Sequence, residues 1–268
     1  MLQLSNQRQP SLAKAATVRC GGFFYACVEG SLSSNASSQR PASLSASIPN
    51  FDPRNVPVIG MDAHLPPVPL HGQTPQALRQ RFQQPPLWQP EVRKESRFAN
   101  RPLLQAAVLV PLVQRNELMV LLTQRTQQLS THSGQVAFPG GKQDPEDIDA
   151  TATALREAYE EVGLDAGYVE VLGSLPVYET GTAFMVTPVV ALVQPSASLK
   201  PNPDEVADVF EVPLRFLLNP ANHQRHRLHW QGLEREWFSM PYDDGGRERY
   251  IWGATAGMLR NFYRFMAA

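Results

Sequence analysis

From Leu103 onward, apolar runs of strand length alternate with stretches of helical period, and this alternation constrains the fold more than any other feature of the 268 residues. Leu104 to Val113 and Leu118 to Thr123, joined by Arg115-Asn116-Glu117, predict a β-hairpin. Asp147 to Val162 carries a helical period, and Val169 to Leu175 and Phe184 to Val193 follow as strands. Val206 to Val212 reads as extended, and Arg227 to Trp230 with Trp237 to Met240 predicts a second hairpin. Gly253 to Met266 closes the chain as a helix with Leu259, Phe262, Tyr263 and Met266 on its apolar side. Strands interrupted by helices, without a repeat, imply one mixed α/β (α+β) domain over residues 101–268.

The first hundred residues are of another kind. They hold 12 of the 24 prolines and 10 of the 24 Lys and Arg, but only 5 of the 25 Asp and Glu. Residues 1–50, with ten serines and a single acid, predict a disordered extension. Its lack of acids also resembles a transit peptide, and Met61 leaves open a non-native extension; a cytoplasmic location is otherwise expected. Residues 51–100 read as a proline-rich lead-in arm packed on the domain, with one helix capped by Thr74 and opened by Pro75. The near-neutral net charge of −1 argues against a nucleic-acid partner. The longest clean apolar run, Ala106 to Val113, is too short for a membrane helix, which needs about 20 residues. Cys20 and Cys27 are too few for a disulfide framework or a four-thiolate zinc site.

The chemistry concentrates between Gly140 and Leu164. Glu157, Glu160 and Glu161 stand at i, i+3 and i+4, so the three carboxylates share one helix face and repel one another. A hard divalent cation such as Mg²⁺ or Mn²⁺ removes that penalty by taking oxygen ligands. Arg156 is placed to fork onto a neighbouring carboxylate. Gly140 and Gly141 allow close backbone approach and offer amides or a carbonyl to an ion or a phosphate. Ala152, Leu155, Ala158 and Tyr159 are expected to pack the opposite face. The bland alternative is a charged outer helix face behind a simple turn.

The segment resembles the Nudix box. Gly141 is followed after five residues by Asp147, where the family has Glu, and after eight more, instead of seven, by Arg156-Glu157-Ala158-Tyr159-Glu160-Glu161-Val162-Gly163-Leu164. Upstream, Leu121-Leu122-Thr123-Gln124-Arg125-Thr126, Gly134 and Phe138-Pro139-Gly140-Gly141 resemble the extra motif of the coenzyme A diphosphatase branch, in which the longer box is also typical. Thr126 and Ser130 depart from that motif, which has Ser or Ala and Arg there.

The resemblance implies a mixed β-sheet sandwiched between helices and a metal-dependent diphosphatase acting on a small nucleotide such as coenzyme A or acyl-CoA. The alternatives are another nucleoside diphosphate derivative (NADH, ADP-ribose), a nucleoside triphosphate, or a non-enzymatic sensor of the same family. It assigns Glu157, Glu161, Glu160 and Gly141 to the metal, and Arg125, Gly134, Gly140 and Lys142 to the substrate. Glu160 or Glu205 would accept the proton of the attacking water. Arg125 and Lys142 read equally well as solvated charges, and Glu205 as an acidic turn. The loop Tyr178-Glu179-Thr180-Gly181-Thr182 is a candidate substrate border. His223, His226 and His229 read as a solvated loop and strand, not a zinc site. Trp230, Trp237 and Trp252 are expected as core or homodimer contacts.

Overall fold

The computed structural model describes residues 52–97, 101–126, 134–230 and 233–268. The extension of residues 1–50 and Ser130 lie outside the described residues. Twelve strands and four α-helices are present among them: β1 (Val58–Met61), α1 (Pro75–Gln83), β2 (Leu104–Gln114), β3 (Leu118–Arg125), β4 (Val136–Ala137), β5 (Gly140–Lys142), α2 (Ala150–Val162), β6 (Val169–Ser174), β7 (Tyr178–Glu179), β8 (Phe184–Val193), β9 (Val206–Pro213), α3 (Leu214–Leu217), β10 (Gln224–Trp230), β11 (Leu233–Asp244), β12 (Arg247–Trp252) and α4 (Gly253–Ala267). The expected mixed α/β class is the observed one.

A mixed sheet runs β4-β3-β2-β8-β6, with β5 on β2, β7 on β8 and β9 on β3. Its centre is the parallel pair of β2 and β8, which stay in register from Leu104 opposite Phe184 to Val113 opposite Val193. Along β2, Ala106, Val108, Val110 and Leu112 face one core, and Ala107, Leu109 and Val113 face another. A strand buried on both faces needs apolar residues at every position, which explains its unbroken apolar run. Helix α2 covers one face, through Ala154, Ala158 and Val162. The other face is covered by α4, through Leu259, Phe262 and Met266, together with a second sheet, of which the sequence announces only the central hairpin. That sheet is antiparallel, in the order β1-β10-β11-β12.

The expected hairpin of β10 and β11 is present, and it is longer than expected because β12 returns along β11. The arm is woven into the same layer. β1 pairs with β10 as an edge strand, and α1 begins as expected, with the Thr74 hydroxyl accepting from Ala77 N–H at 3.2 Å. Asp62 and Glu91 of the arm meet Arg225 of β10 and the buried Arg260 of α4. Among the described residues no helix is long and apolar enough to cross a membrane.

The histidine reading needs correction. Of these three, His229 alone is exposed; His223 and His226 are buried. His226 bridges the Val56 carbonyl and the Ser239 hydroxyl and stacks on Trp237. His223 lies between the Leu217 carbonyl and Arg260, and burial lowers its pKa to about 4, so it is neutral. Trp237 is a core residue and Trp252 meets it edge-on, while the Trp230 side chain lies outside the described residues.

Candidate active site

Helix α2 starts at Ala150, three residues later than expected, because Asp149 caps it by accepting from Ala152 N–H at 2.8 Å. Gly163, at φ 67°, ends it, and its N–H returns to the Tyr159 carbonyl. Of the three helix carboxylates, Glu157 and Glu161 are 3% and 2% exposed. The Glu160 side chain is 49% exposed. The expected packing is therefore partly inverted: the inner stripe of α2 includes Glu157 and Glu161, whereas Tyr159 faces solvent.

The glycines make room for this arrangement. Gly140 and Gly141 pair with Val108 and Ala107 of β2. A Cβ at Gly140 would lie 2.5 Å from the Ala107 carbonyl oxygen, and one at Gly141 2.5 Å from the Glu157 carboxyl carbon. Gly140 N–H donates to Glu161 Oε2 at 3.1 Å, so its amide serves the carboxylate. Gly141→Ala should therefore displace Glu157. A shift of about 1 Å in a positioned group costs on the order of a hundredfold in rate. We expect such a loss of turnover with an unchanged circular dichroism spectrum, and wild-type turnover would remove Gly141 from the site.

Asp147 does not belong to the helix; it is the anchor of Arg156. Arg156 Nε and Nη2 donate to its two oxygens at 3.0 and 2.8 Å. Arg156 Nη1 reaches Glu157 Oε1 at 2.9 Å and Glu160 Oε2 at 3.1 Å, while Nη2 also donates to the Lys142 carbonyl. The fork lowers the Asp147 pKa to about 2. The extra residue in the box and the shorter acid thus still yield a two-pronged pair. Sequence reasoning left Asp147 without a role because the loop that brings it to Arg156 has no periodicity.

Arg125 ends β3 and sits 3.6 Å from Glu161 Oε1, with both side chains largely buried. It is not a surface charge. Glu205, half-buried after Asn202, accepts from Asn202 Nδ2 at 3.3 Å. Its pKa is raised, first by burial and then by Glu160 and Asp204 against the pull of Arg125. Gly134 adopts φ 70°, and its carbonyl accepts from Gln124. Lys142 ends β5 with an exposed side chain, and its carbonyl accepts from Arg156 Nη2 at 3.1 Å. The 178–182 loop is tied to the arm instead, with Tyr178 Oη and Gly181 N–H both donating to Glu95.

Burial raises the pKa of Glu157 to about 7, Arg156 opposing, and that of Glu161 to about 8, with Arg125 and Gly140 N–H opposing. Folded carboxyls with raised pKa retain protons that the unfolded chain releases. Their contribution to stability is complete below the ordinary value of 4.5 and is lost as pH rises through 7 and 8. In EDTA the melting temperature should therefore be higher at pH 5.5 than at pH 8.5 on this account, and Mn²⁺ should reduce the difference. A Glu157→Gln/Glu161→Gln protein with the same pH slope would refute it.

The donor set fits a hard divalent cation. The donors are all carboxylate oxygens, buried at Glu157 and Glu161 and open to solvent at Glu160, and Asp147, Glu157, Glu160, Glu161 and Glu205 are met by two guanidinium groups. Among the described residues no three acidic, histidine or cysteine side chains converge as a finished ligand set. Glu157 and Glu161 are turned toward arginines instead.

The NUDIX domain family model matches residues 103–231. Over 157 residues the chain is 41% identical to the protein named "Uncharacterized Nudix hydrolase NudL" of Yersinia pestis (strain Pestoides F), covering 59% of this chain and 77% of that protein. The protein of the same name from Yersinia pseudotuberculosis serotype O:1b (strain IP 31758) matches with the same figures. Among solved structures, an Ap4A hydrolase binary complex from C. elegans aligns at 22% identity and TM-score 0.37, covering 44% of this chain and 86% of that one. With that identity to relatives matched over three-quarters of their length, and with the box glutamates gathered on α2 beside Gly141, the chain belongs to the Nudix hydrolase family.

Proposed function

We propose that this Nudix hydrolase cleaves the diphosphate bond of coenzyme A or an acyl-CoA, giving adenosine 3′,5′-bisphosphate and 4′-(acyl)phosphopantetheine, with Mg²⁺ or Mn²⁺. The observation that carries this reading is the meeting of Arg125, from the upstream motif, with Glu161, from the box. The residues that resemble the coenzyme A branch thereby share one site with the hydrolytic residues. Glu157 and Glu161 would hold the metal, with Gly141 providing the space beside Glu157. When bound, the metal neutralises phosphate oxygens and acidifies a water.

Arg156, fixed by Asp147, holds Glu157 and Glu160 in place. Glu205, half-buried and with a raised pKa, takes the proton of the attacking water, and Glu160 is the other candidate for that step. Water oxygen bonds to one phosphorus as the bridging P–O bond breaks, and the bridging oxygen leaves on the other phosphate. Arg125, and Lys142 from the exposed end of β5, are the cations that receive the diphosphate.

Incubation with coenzyme A, NADH, ADP-ribose and a nucleoside triphosphate, each with Mg²⁺ or Mn²⁺, tests the reading by mass spectrometry of products. Adenosine 3′,5′-bisphosphate as the dominant product supports it. Preferential hydrolysis of another member of the panel would replace the coenzyme A assignment while retaining the hydrolytic site.

A further inference from the structure

Arg125 and Arg156 reach the α2 carboxylates in different ways. Arg156 lies on α2 itself and is bound by Asp147, Glu157, Glu160 and a carbonyl, so it stays in place when any one of these partners changes. Arg125 comes from the end of β3 on a neighbouring element and pairs with Glu161 at 3.6 Å. It also faces Glu205 across the site. β9 bulges where it passes this point: Gln124 pairs with Asp208 and Arg125 with Val206, which leaves Ala207 unpaired. Bulges beside active sites re-aim the side chains around them.

Resting on the reading of Glu157 and Glu161 as metal ligands, we propose that Arg125 is the counter-ion of the metal-free site. It holds the Glu161 side chain until a divalent cation takes that carboxyl group as a ligand, and loss of this contact frees the guanidinium for the diphosphate. Two positive charges cannot share one buried carboxylate without repulsion, and at this separation the interaction in a partly buried setting is large. The divalent cation prevails through its charge and its preference for oxygen ligands. Arginine is suited to the second position because its planar fork matches phosphate oxygens. A single side chain thereby couples metal loading to substrate capture: before the metal arrives, the anion-binding group is engaged internally.

The test measures Mn²⁺ binding alone, by electron paramagnetic resonance of the free ion, on wild type, Arg125→Gln, Arg125→Lys and Glu161→Gln. Removing the competing charge should tighten Mn²⁺ binding in Arg125→Gln by at least about tenfold, with Arg125→Lys close to wild type. Equal or weaker binding by folded Arg125→Gln would overturn the counter-ion role. If Glu161→Gln binds Mn²⁺ as wild type does, the metal-site reading itself fails. If Glu161→Gln loses Mn²⁺ while Arg125→Gln is unchanged, only the counter-ion role fails. Should Arg125→Gln not fold, the wild type still decides: phenylglyoxal labelling of Arg125, mapped by peptide mass spectrometry, should be slow in EDTA and faster with Mn²⁺. An unchanged labelling rate would equally overturn the proposal.

Discussion

Glu161→Gln is expected to lower kcat by roughly a thousandfold or more, a loss of about 4 kcal/mol of transition-state stabilisation, while leaving the fold in place. Glutamine keeps the shape of a side chain that is 2% exposed, and its amide oxygen can still accept the Gly140 N–H. Burial already favours the neutral form of Glu161, so a neutral substitute costs the metal-free protein little. What disappears is an ionised oxygen ligand at the centre of the site. Steady-state kinetics with coenzyme A or whichever substrate the panel selects, alongside thermal melting, checks both halves. Near-normal turnover would remove Glu161 from the machinery, and a collapsed melting temperature would make it structural.

The sequence revealed the site's composition better than its orientation. The spacing of Glu157, Glu160 and Glu161 places them together on α2, because helical geometry is local. It cannot say which side of the helix is buried, since that depends on what packs there. β2 and β5 do, and the small Ala107 and Gly141 leave volume that Glu157 enters. Tyr159 was expected inside on hydrophobicity alone, yet the inner stripe was already taken. Arg125 read equally as a surface charge, because the partner that distinguishes the readings lies 36 positions along the chain on another element.

The same contrast holds for the fold. Buried strands such as β2 and β8 are legible as apolar runs, and α1 through its Thr74-Pro75 start. β1 was missed because it has four residues, includes Gly60 and follows Pro57, so it carries neither length nor alternation. β12 was missed because Arg247, Glu248 and Arg249 open it with charges. Arg249 is buried nonetheless, paired with Asp208 and Asp244 and lying over the Phe210 ring. Such compensation becomes visible only when distant strands are brought together.

The arm provides the largest expected stability effect. Arg260 is 1% exposed and donates to Glu91 Oε2 at 2.7 Å, with Asp62 Oδ2 at 2.9 Å and His223 Nδ1 at 3.1 Å. Its guanidinium lies against the rings of Phe238 and Tyr263. Arg260→Met retains much of the volume but strips a buried cation from two arm carboxylates, leaving Arg225 to both and the more distant Arg264, at 3.8 Å, to Glu91. Breaking a buried pair from one side costs roughly 3–5 kcal/mol. For a unit of this size that corresponds to a fall in melting temperature of roughly 10 °C. Because Asp62 and Glu91 bracket α1, the loss should appear first as protease cleavage between residues 62 and 91, ahead of the catalytic domain. We therefore propose that residues 52–97 fold as part of the domain instead of as a detachable leader. A variant that melts like wild type and resists cleavage in the arm would refute that proposal, because the charges would then contribute little that the apolar packing of Leu78, Phe82 and Trp88 does not already provide.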